Sequence, residues 1–560
     1  MRLASMVVLV GVAIGVASGA AARWGRHATS LVLAAALLGT LLEDRVKAQP
    51  SFELEGETFA NQLGFVSGEA AELVVLARRR ISPGTLHIDP PPTRMLIVKR
   101  ALDSFTGLWA HRVRLWPGRE TLVKVSTEGG GVRTVKISTE PYRALERDLM
   151  RSYYLQRCGL LIVDRQGEAS RAVCHLDDGL RSHNDLDGAA GSRVAAIGGW
   201  HDAGDYGKYV ATTSSVSLEL LTRYERFAWA LQADDLSIPE SSNGAPDLLD
   251  EVRVALDWLL RMQRSDGAVY RKLAGHSWPM DKVPSDDRQP RELFGVSSPE
   301  TAKAAAAWAL AARVYRDQDA HVAGAYLAAA ERAWSFLVAR PELVFEIGAR
   351  DDSGSGPYRL TDIDREPSLR VDSDDRLAAA VELWLTTSQP KFAQAIEELL
   401  PAYAANLFEW KDVASQSLLS LLWQPKPIPP HWRTLVRRTI LARARQGLSR
   451  SLSRPWANAN DRFVWGSNKL VAEEGVLMLA AFRLTGDRRY YLAAWRQLHY
   501  LLGANPLGKS FVTGHGDNPV RHINHLFVRA SGKTLPGLLV GGPNEQEQSN
   551  IAPRGRGMLS

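Results

Sequence analysis

Hydrophobic positions change their period part-way along this chain. From Phe52 to about Ser138 the apolar runs are short: Leu73-Val74-Val75-Leu76, Met95-Leu96-Ile97-Val98 and Thr121-Leu122-Val123-Lys124-Val125. Turn-forming stretches such as Pro90-Pro91-Pro92 and Gly129-Gly130-Gly131 separate them. Strands of this length and spacing predict a small β-sandwich. From Pro141 onward, apolar residues recur three and four apart in Ala-rich stretches. That period predicts about eleven helices. They span 142–157, 214–233, 246–264, 299–317, 321–340, 374–388, 391–409, 411–422, 430–446, 468–485 and 488–502, joined by long loops rich in Gly, Asp and Trp. No internal repeat is evident. Many long helices with loops gathered on one side predict an all-α, (α/α)6-type toroid. That architecture serves unrelated chemistries, so by itself it names no function.

Two apolar stretches precede the sandwich. Ser5–Ala22 is almost uncharged and, at about 18 residues, marginal for a membrane span. Leu31–Leu42 follows Arg23 and Arg26 and leads to Val46-Lys47-Ala48. The second has the layout of a signal peptide, with a basic start, an apolar middle and small residues at −3 and −1. Export to the periplasm or medium with cleavage after Ala48 is expected, and an N-terminal membrane anchor is the alternative. The boundaries read as 1–48 for the leader or anchor, 49–140 for the sandwich and 141–560 for the helical domain.

Composition narrows the function classes. With 560 residues, 45% hydrophobic and 23% charged, the chain is ordinary globular protein. Its formal net charge is +6, but the Lys and Arg residues are scattered and not interleaved with aromatics, which argues against nucleic-acid binding. A core needs only a few of the sixteen Trp residues. The rest suit stacking against sugar rings, whose faces present C–H groups to aromatics.

The central chemical signal is Gly198-Gly199-Trp200-His201-Asp202-Ala203-Gly204-Asp205-Tyr206-Gly207-Lys208-Tyr209. Two carboxylates three residues apart in a Gly-rich loop can converge on one water. A general base is an ionised carboxylate within hydrogen-bond reach of the proton it removes, and a second carboxylate can hold the same water in line. Inverting glycosidases place such a water opposite the leaving group, with acid and base roughly 6.5–9.5 Å apart. Asp-x-x-Asp alone is more often a solvated loop or a cation site.

As a whole, the block resembles the base-bearing loop of glycoside hydrolase family 9, the cellulases and endoglucanases. Further blocks share the resemblance in order: Arg151–Gly159, Ile238–Glu251, Val464–Asn468 and Gly503–Gly514. Asn61-Gln62-Leu63-Gly64-Phe65 resembles the first strand of the immunoglobulin-like domain that precedes some of the family's catalytic domains. The resemblance implies an inverting hydrolase of β-1,4-glucans, acting as a monomer without an organic cofactor. Asp205 is then the general base and Asp202 helps position the water. Tyr206, His276, Trp278, Trp410 and Trp465 are the expected substrate contacts, each in or beside a loop.

Metal sites follow from the same resemblance. Two thiolates and two imidazoles suit tetrahedral zinc. Cys158, Cys174, His175 and His201 match the structural zinc set of family members that carry the N-terminal sandwich. A Cys158–Cys174 disulfide, natural in an exported protein, is the alternative. Glu240, Asn243, Asp247 and Asp250 are hard oxygen donors close in sequence, as calcium prefers. The other reading of that stretch has Asp247 capping the following helix.

Two departures from the family bear on function. Where it carries Pro-His-His-Arg, this chain reads His522-Ile523-Asn524-His525-Leu526. Asn524 takes the place of the substrate-binding His and Leu526 that of the Arg. Asn524 and His525 are the substrate contacts expected here. After Leu535–Asn544 the family continues to a Glu that is the general acid, before a final helix. The expectation is that this acid and that helix are absent from 141–560. Glu545 and Glu547 come too early in the motif order to serve. A catalytically impaired sugar-binding remnant is therefore the competing reading. An unrelated toroid such as a terpene cyclase would need Asp-rich metal motifs on helices, for which Asp372-Ser373-Asp374-Asp375 is the one candidate.

Overall fold

The computed structural model describes residues 56–104, 106–127, 130–165, 167, 169–181, 193–202, 206–275, 277, 279–344, 371–404, 410–464 and 466–544. The stretch 1–48, expected to be a leader or an anchor, lies outside them. Among the described residues, no helix is long and apolar enough to cross a membrane.

Among the described residues, eight strands build the N-terminal domain: β1 (Thr58–Phe59), β2 (Phe65–Val66), β3 (Ala71–Ala77), β4 (Leu86–Asp89), β5 (Arg94–Leu102), β6 (Trp109–Trp116), β7 (Thr121–Thr127) and β8 (Arg133–Ser138). They form two four-stranded sheets, ordered β1-β3-β6-β5 and β2-β8-β7-β4. Leu73, Val75, Val113 and Leu115 from one sheet meet Phe65, Leu86, Val123, Val125, Val135 and Ile137 from the other. This is the expected sandwich, with inward-facing residues of both sheets making one core.

β3 departs from simple alternation because it is buried on both faces. Leu73 and Val75 face the sandwich core, whereas Val74 and Leu76 join the core of the helical domain. On that second face β3 and β6 are in register, pairing Glu72 with Arg114 and Val74 with Arg112. Glu72 accepts from Arg114 Nε at 2.7 Å and from Arg496 Nε at 2.7 Å. Arg112 reaches the carbonyls of Ser451 and Leu452 at 2.9 and 3.2 Å. The first sheet is thus a wall shared by the two domains.

The helical domain comprises α1 (Arg143–Tyr154), α2 (Val210–Phe227), α3 (Asp247–Arg261), α4 (Ser298–Val314), α5 (Ala320–Ala339), α6 (Ser373–Thr387), α7 (Pro390–Leu399), α8 (Ala414–Trp423), α9 (Pro430–Ser453), α10 (Ser467–Thr485), α11 (Arg488–Leu501) and the short α12 (Leu526–Ser531). From α2 onward two kinds alternate. The helices α2, α4, α6, α8 and α10 are buried almost end to end. α3, α5, α7 and α9 bury mainly one face, whereas α11, packed against the sandwich, is buried throughout Ala493–Leu501. In α3 that face is Leu248, Leu249, Val252, Ala255, Leu256 and Leu259, at the spacing of a core-facing stripe. α4 packs against α2, α5 and α6, and its run of buried alanines lets these neighbours approach closely. Ser297 caps α4, accepting the Glu300 N–H at 3.1 Å. Inner and outer helices in alternation make the (α/α)6 toroid expected from the sequence.

A further four-stranded sheet lies on the loop side of α2 and α4. Its strands are β9 (Leu180–Arg181), β10 (Lys208–Tyr209), β11 (Val269–Gly275) and β12 (Arg291–Ser297), ordered β10-β11-β12-β9. β10 leads directly into α2, so this sheet anchors the segment that follows the Asp202 loop.

Candidate active site and metal centre

The chain leaves α1 and runs Gln156–Cys158 antiparallel to Gly199–His201. Cys158 N–H donates to the Gly199 carbonyl, and His201 N–H to that of Gln156, both at 2.8 Å. This pairing sets Cys158 beside His201. Gly199 has φ 74° and sits against Trp258, where an added Cβ would lie 2.6 Å from the ring. Only glycine allows both that conformation and that approach. Trp200 Nε1 donates to Glu251 Oε1 at 2.7 Å, so the strand is fixed to α3 as well.

Cys158, Cys174, His175 and His201 are buried, with their ligand atoms all within 4.8 Å of one another. Cys158 Sγ lies 3.6 Å from His175 Nδ1, Cys174 Sγ 3.7 Å from His201 Nε2, and the two imidazole nitrogens are 3.2 Å apart. A tetrahedral S2N2 metal site spaces its nitrogens about 3.3 Å apart and its S/N pairs about 3.6 Å. Both cysteines are free thiols, so the disulfide alternative is not realised. Burial, and after it the charge of Arg171, holds His201 well below the ordinary imidazole range, in the neutral form a metal ligand needs. Burial pushes the Cys158 thiol up. The hydrogen bond from Cys158 lowers Cys174, with help from Arg171, whose Nη1 lies 3.6 Å from that sulfur.

Asp202 follows directly. Its carboxylate is buried, and Oδ2 accepts from Thr212 Oγ1 at 2.5 Å. Its backbone N–H donates to the Gly207 carbonyl at 2.7 Å, closing the loop on itself. A pocket beside it is lined by Tyr153, Gln156, Trp200 and Thr213. Beyond the loop, buried Lys208 donates to the carbonyls of Ala196 and Gly198 at 3.0 and 2.8 Å and pairs with Asp178 at 2.6 Å. Arg291 Nε takes the other oxygen of Asp178 at 2.6 Å. Together these contacts join a carboxylate, the Cys/His cluster and the base of α2.

The family model of glycosyl hydrolase family 9 matches residues 142–550. The chain belongs to glycosyl hydrolase family 9. Among its relatives is a cellodextrinase of Butyrivibrio fibrisolvens, 30% identical over 78% of this chain and 81% of that protein. Endoglucanase C of Cellulomonas fimi is 31% identical over 75% of this chain, which spans 41% of that longer protein. Of solved structures, a metagenome-derived family 9 endoglucanase is 37% identical, covers 90% of this chain and 93% of its own, and has a TM-score of 0.82. A Zn-binding triple mutant of the family 9 endoglucanase J30 is 29% identical over 86% and 90%, with a TM-score of 0.78. The chain is an endoglucanase-like glycoside hydrolase.

Within this family 9 site the expected residues fare differently. Asp205, His276, Trp278 and Trp465 lie outside the described residues, as do Glu545 and Glu547. Tyr206, an expected substrate contact, lies against the Cys/His cluster. It is 1% exposed, its ring packs 5.2 Å from that of His201, and its hydroxyl donates to the Lys282 carbonyl at 2.9 Å. A φ of 60° turns it inward against the cluster. Trp410 is 8% exposed and belongs to the helical core. Asn524 is exposed and accepts from Arg529 at 3.4 Å. His525 is buried, lies 2.9 Å from Gln156 Nε2, and is held at about 4 by burial.

The calcium set does not assemble. Glu240 accepts from Arg157 at 2.9 Å, which draws it away. Asp247 Oδ2 accepts from the Leu236 N–H at 2.6 Å and from Ser241 at 2.9 Å. Asn243 donates to Asp250 at 3.1 Å. Among the described residues, the Cys/His cluster is the one group of three or more ligating His, Cys, Asp or Glu side chains that converges. Asp375, from the Asp-rich motif of α6, pairs instead with buried Lys303. Sequence reasoning missed Thr212, Asp178 and Asp287. A Thr three residues into a helix carries no signal, and Asp286-Asp287-Arg288 reads as a solvated turn.

Proposed function

We propose that this chain hydrolyses β-1,4-glucosidic bonds in cellulose or cello-oligosaccharides with inversion at the anomeric carbon. Asp205 removes a proton from the attacking water and Asp202 holds that water in line. The observation that carries the reading is the state of Asp202. Its carboxylate is buried, gripped by Thr212, and opens on a pocket beside Trp200 and Tyr153. A solvated turn has no need of such constraint, whereas a carboxylate that must orient water does. The names of the cellodextrinase and endoglucanase relatives support a β-1,4-glucan as substrate. The xyloglucan-specific endo-β-1,4-glucanase of Bacteroides ovatus, 27% identical over 87% of this chain, makes a branched glucan the competing substrate. Action outside the cytoplasm follows from a polymer too large to enter the cell.

A structural zinc held by Cys158, Cys174, His175 and His201 completes the reading. The spacings of the four donors and the neutral His201 support it. So does the likeness to the Zn-binding J30 variant. Four protein ligands leave no open position, so the ion would brace the strand leading into Asp202 without touching substrate.

The test separates the two halves of the reaction. 2,4-Dinitrophenyl β-cellobioside leaves as a phenolate and needs little help from an acid, whereas carboxymethyl cellulose needs both acid and base. Dinitrophenol release that falls by about 10²-fold or more in Asp205→Ala establishes the base. Equal rates in both proteins would sink it. Binding without turnover is the second reading, favoured by the complete burial of Leu526 where the family carries Arg. Unaltered cello-oligosaccharide binding with both substrates uncleaved would decide for it.

A further inference from the structure

Behind the four metal-binding side chains stands a fifth residue. Asp287 follows the turn Pro284–Asp286, is buried, and brings Oδ2 to 3.4 Å from His175 Nε2. The opposite nitrogen of that ring, Nδ1, is the one facing Cys158 Sγ and His201 Nε2. A histidine that ligates through one nitrogen keeps its proton on the other, and an acceptor there fixes both tautomer and ring orientation. His175 itself has φ 50°, a left-handed conformation that a non-glycine residue adopts at a cost. Something must hold it there.

Arg291 does not account for Asp287. Its Nη1 is 4.0 Å from Oδ2, at the limit of an ion pair. Its stronger contacts go elsewhere, to Asp178 and to the Tyr206 carbonyl, at 2.6 and 2.7 Å. Gln289 Nε2 spans both carboxylate oxygens, at 3.0 Å from Oδ1 and 3.2 Å from Oδ2, and so fixes the carboxylate plane while Oδ2 keeps a second lone pair for His175. The same stretch also grips the loop after Asp202. The Lys282 carbonyl accepts the Tyr206 hydroxyl, and Arg291 holds the Tyr206 carbonyl. Residues 282–291 therefore meet the cluster at one point and the catalytic loop at two.

We propose that Asp287 is the positioning residue of the metal centre, holding His175 as its Nε2–H tautomer so that Nδ1 is delivered to the ion. Through 282–291 it also ties the metal centre to Tyr206. This rests on the zinc reading above.

The experiment compares the zinc-loaded full chain with Asp287→Ala, Asp287→Glu and the neighbouring Asp286→Asn. Zinc affinity is measured by chelator competition, and the visible spectrum is recorded after exchange to Co2+. Asp287→Ala is expected to weaken zinc binding by about 10–100-fold and to shift the cobalt bands. Asp287→Glu restores part of the affinity, and Asp286→Asn matches the parent. Should Asp287→Ala fail to fold, Asp287→Leu, similar in shape and without an acceptor, gives the same comparison. Parental affinity and spectrum in a folded Asp287→Ala or Asp287→Leu protein would overturn the positioning role alone. A parent that takes up no stoichiometric zinc would overturn the zinc reading, and the role of Asp287 with it.

Discussion

Thr212 Oγ1 donates to Asp202 Oδ2 across 2.5 Å, so the first turn of α2 grips the carboxylate that the preceding loop presents. A hydrogen bond to a charged group contributes about 1.5–3 kcal/mol. Thr212→Val keeps the shape and removes the donor. It should lower kcat by about tenfold or more and cost stability of the order just given, while leaving KM near the parental value. Steady-state kinetics on cello-oligosaccharides measure this, and an unchanged kcat would mean the contact is only structural.

Loss of the metal should loosen the loop before it unfolds the chain. Cys174→Ser removes one thiolate from a buried S2N2 set, and zinc content should fall from one equivalent to near none. Ligand-linked stability vanishes with it, about 4 kcal/mol for a site held at a thousand times its Kd. The melting temperature should drop by several degrees, and zinc should restore it in the parent but not in Cys174→Ser. Metal analysis and calorimetry together check this.

The domain interface turns on one acid. Glu72 faces Arg496, Arg114 and Arg112, and these hold its carboxyl down to about 2 against the opposing effect of burial. Removing one partner from a buried ionic group costs about 3–5 kcal/mol, because the charges left behind are unpaired. Glu72→Gln should therefore destabilise the chain by that order in urea unfolding. Asp517→Asn, which breaks the exposed pair with Arg133, should cost less than about 1 kcal/mol.

Acid should weaken the fold through its buried histidines. His499 and His525 titrate at about 4 in the folded chain, each lowered chiefly by burial from 6.5. For His499, Glu72 opposes that shift and Arg496 adds to it. Between those values the unfolded chain binds protons that the folded chain does not. Stability is then fully present above 6.5 and is lost as pH falls toward 4, by up to about 3 kcal/mol per residue. Urea midpoints taken across that range should fall, and His499→Leu should make the decline shallower. A flat profile would contradict it.

Much of this was open to reading because burial and period agree. Each of the eleven helical stretches holds a helix, since apolar residues recur three and four apart in them, even where an inner helix also buries polar groups, as α2 does with Thr212, Ser214 and Glu219. The sheet of β9–β12 was not legible. Arg271 and Lys272 interrupt Val269–Gly275, and both are buried, so the strand carries neither alternation nor an apolar run. The Cys/His cluster was legible through resemblance, because its ligands come from three separated loops whose spacing has no signature. Asp287 reaches His175 from 112 residues further along the chain, and only the fold brings it there. Tyr206 sits in the most recognisable motif, but its left-handed φ of 60° and the packing of its ring on His201 carry no sequence signal.

The two faces of β3 set the limits of modularity in this molecule. A break near residue 140 looks natural by sequence, between strands and helices. Cutting there would strip Val74 and Leu76 from one hydrophobic core and leave Arg496 without its counter-ion. Domain shuffling or truncation must therefore treat the sandwich, α9 and α11 as one exchangeable block. A graft of the toroid alone onto another binding module would carry a raw apolar wound where its partner had been.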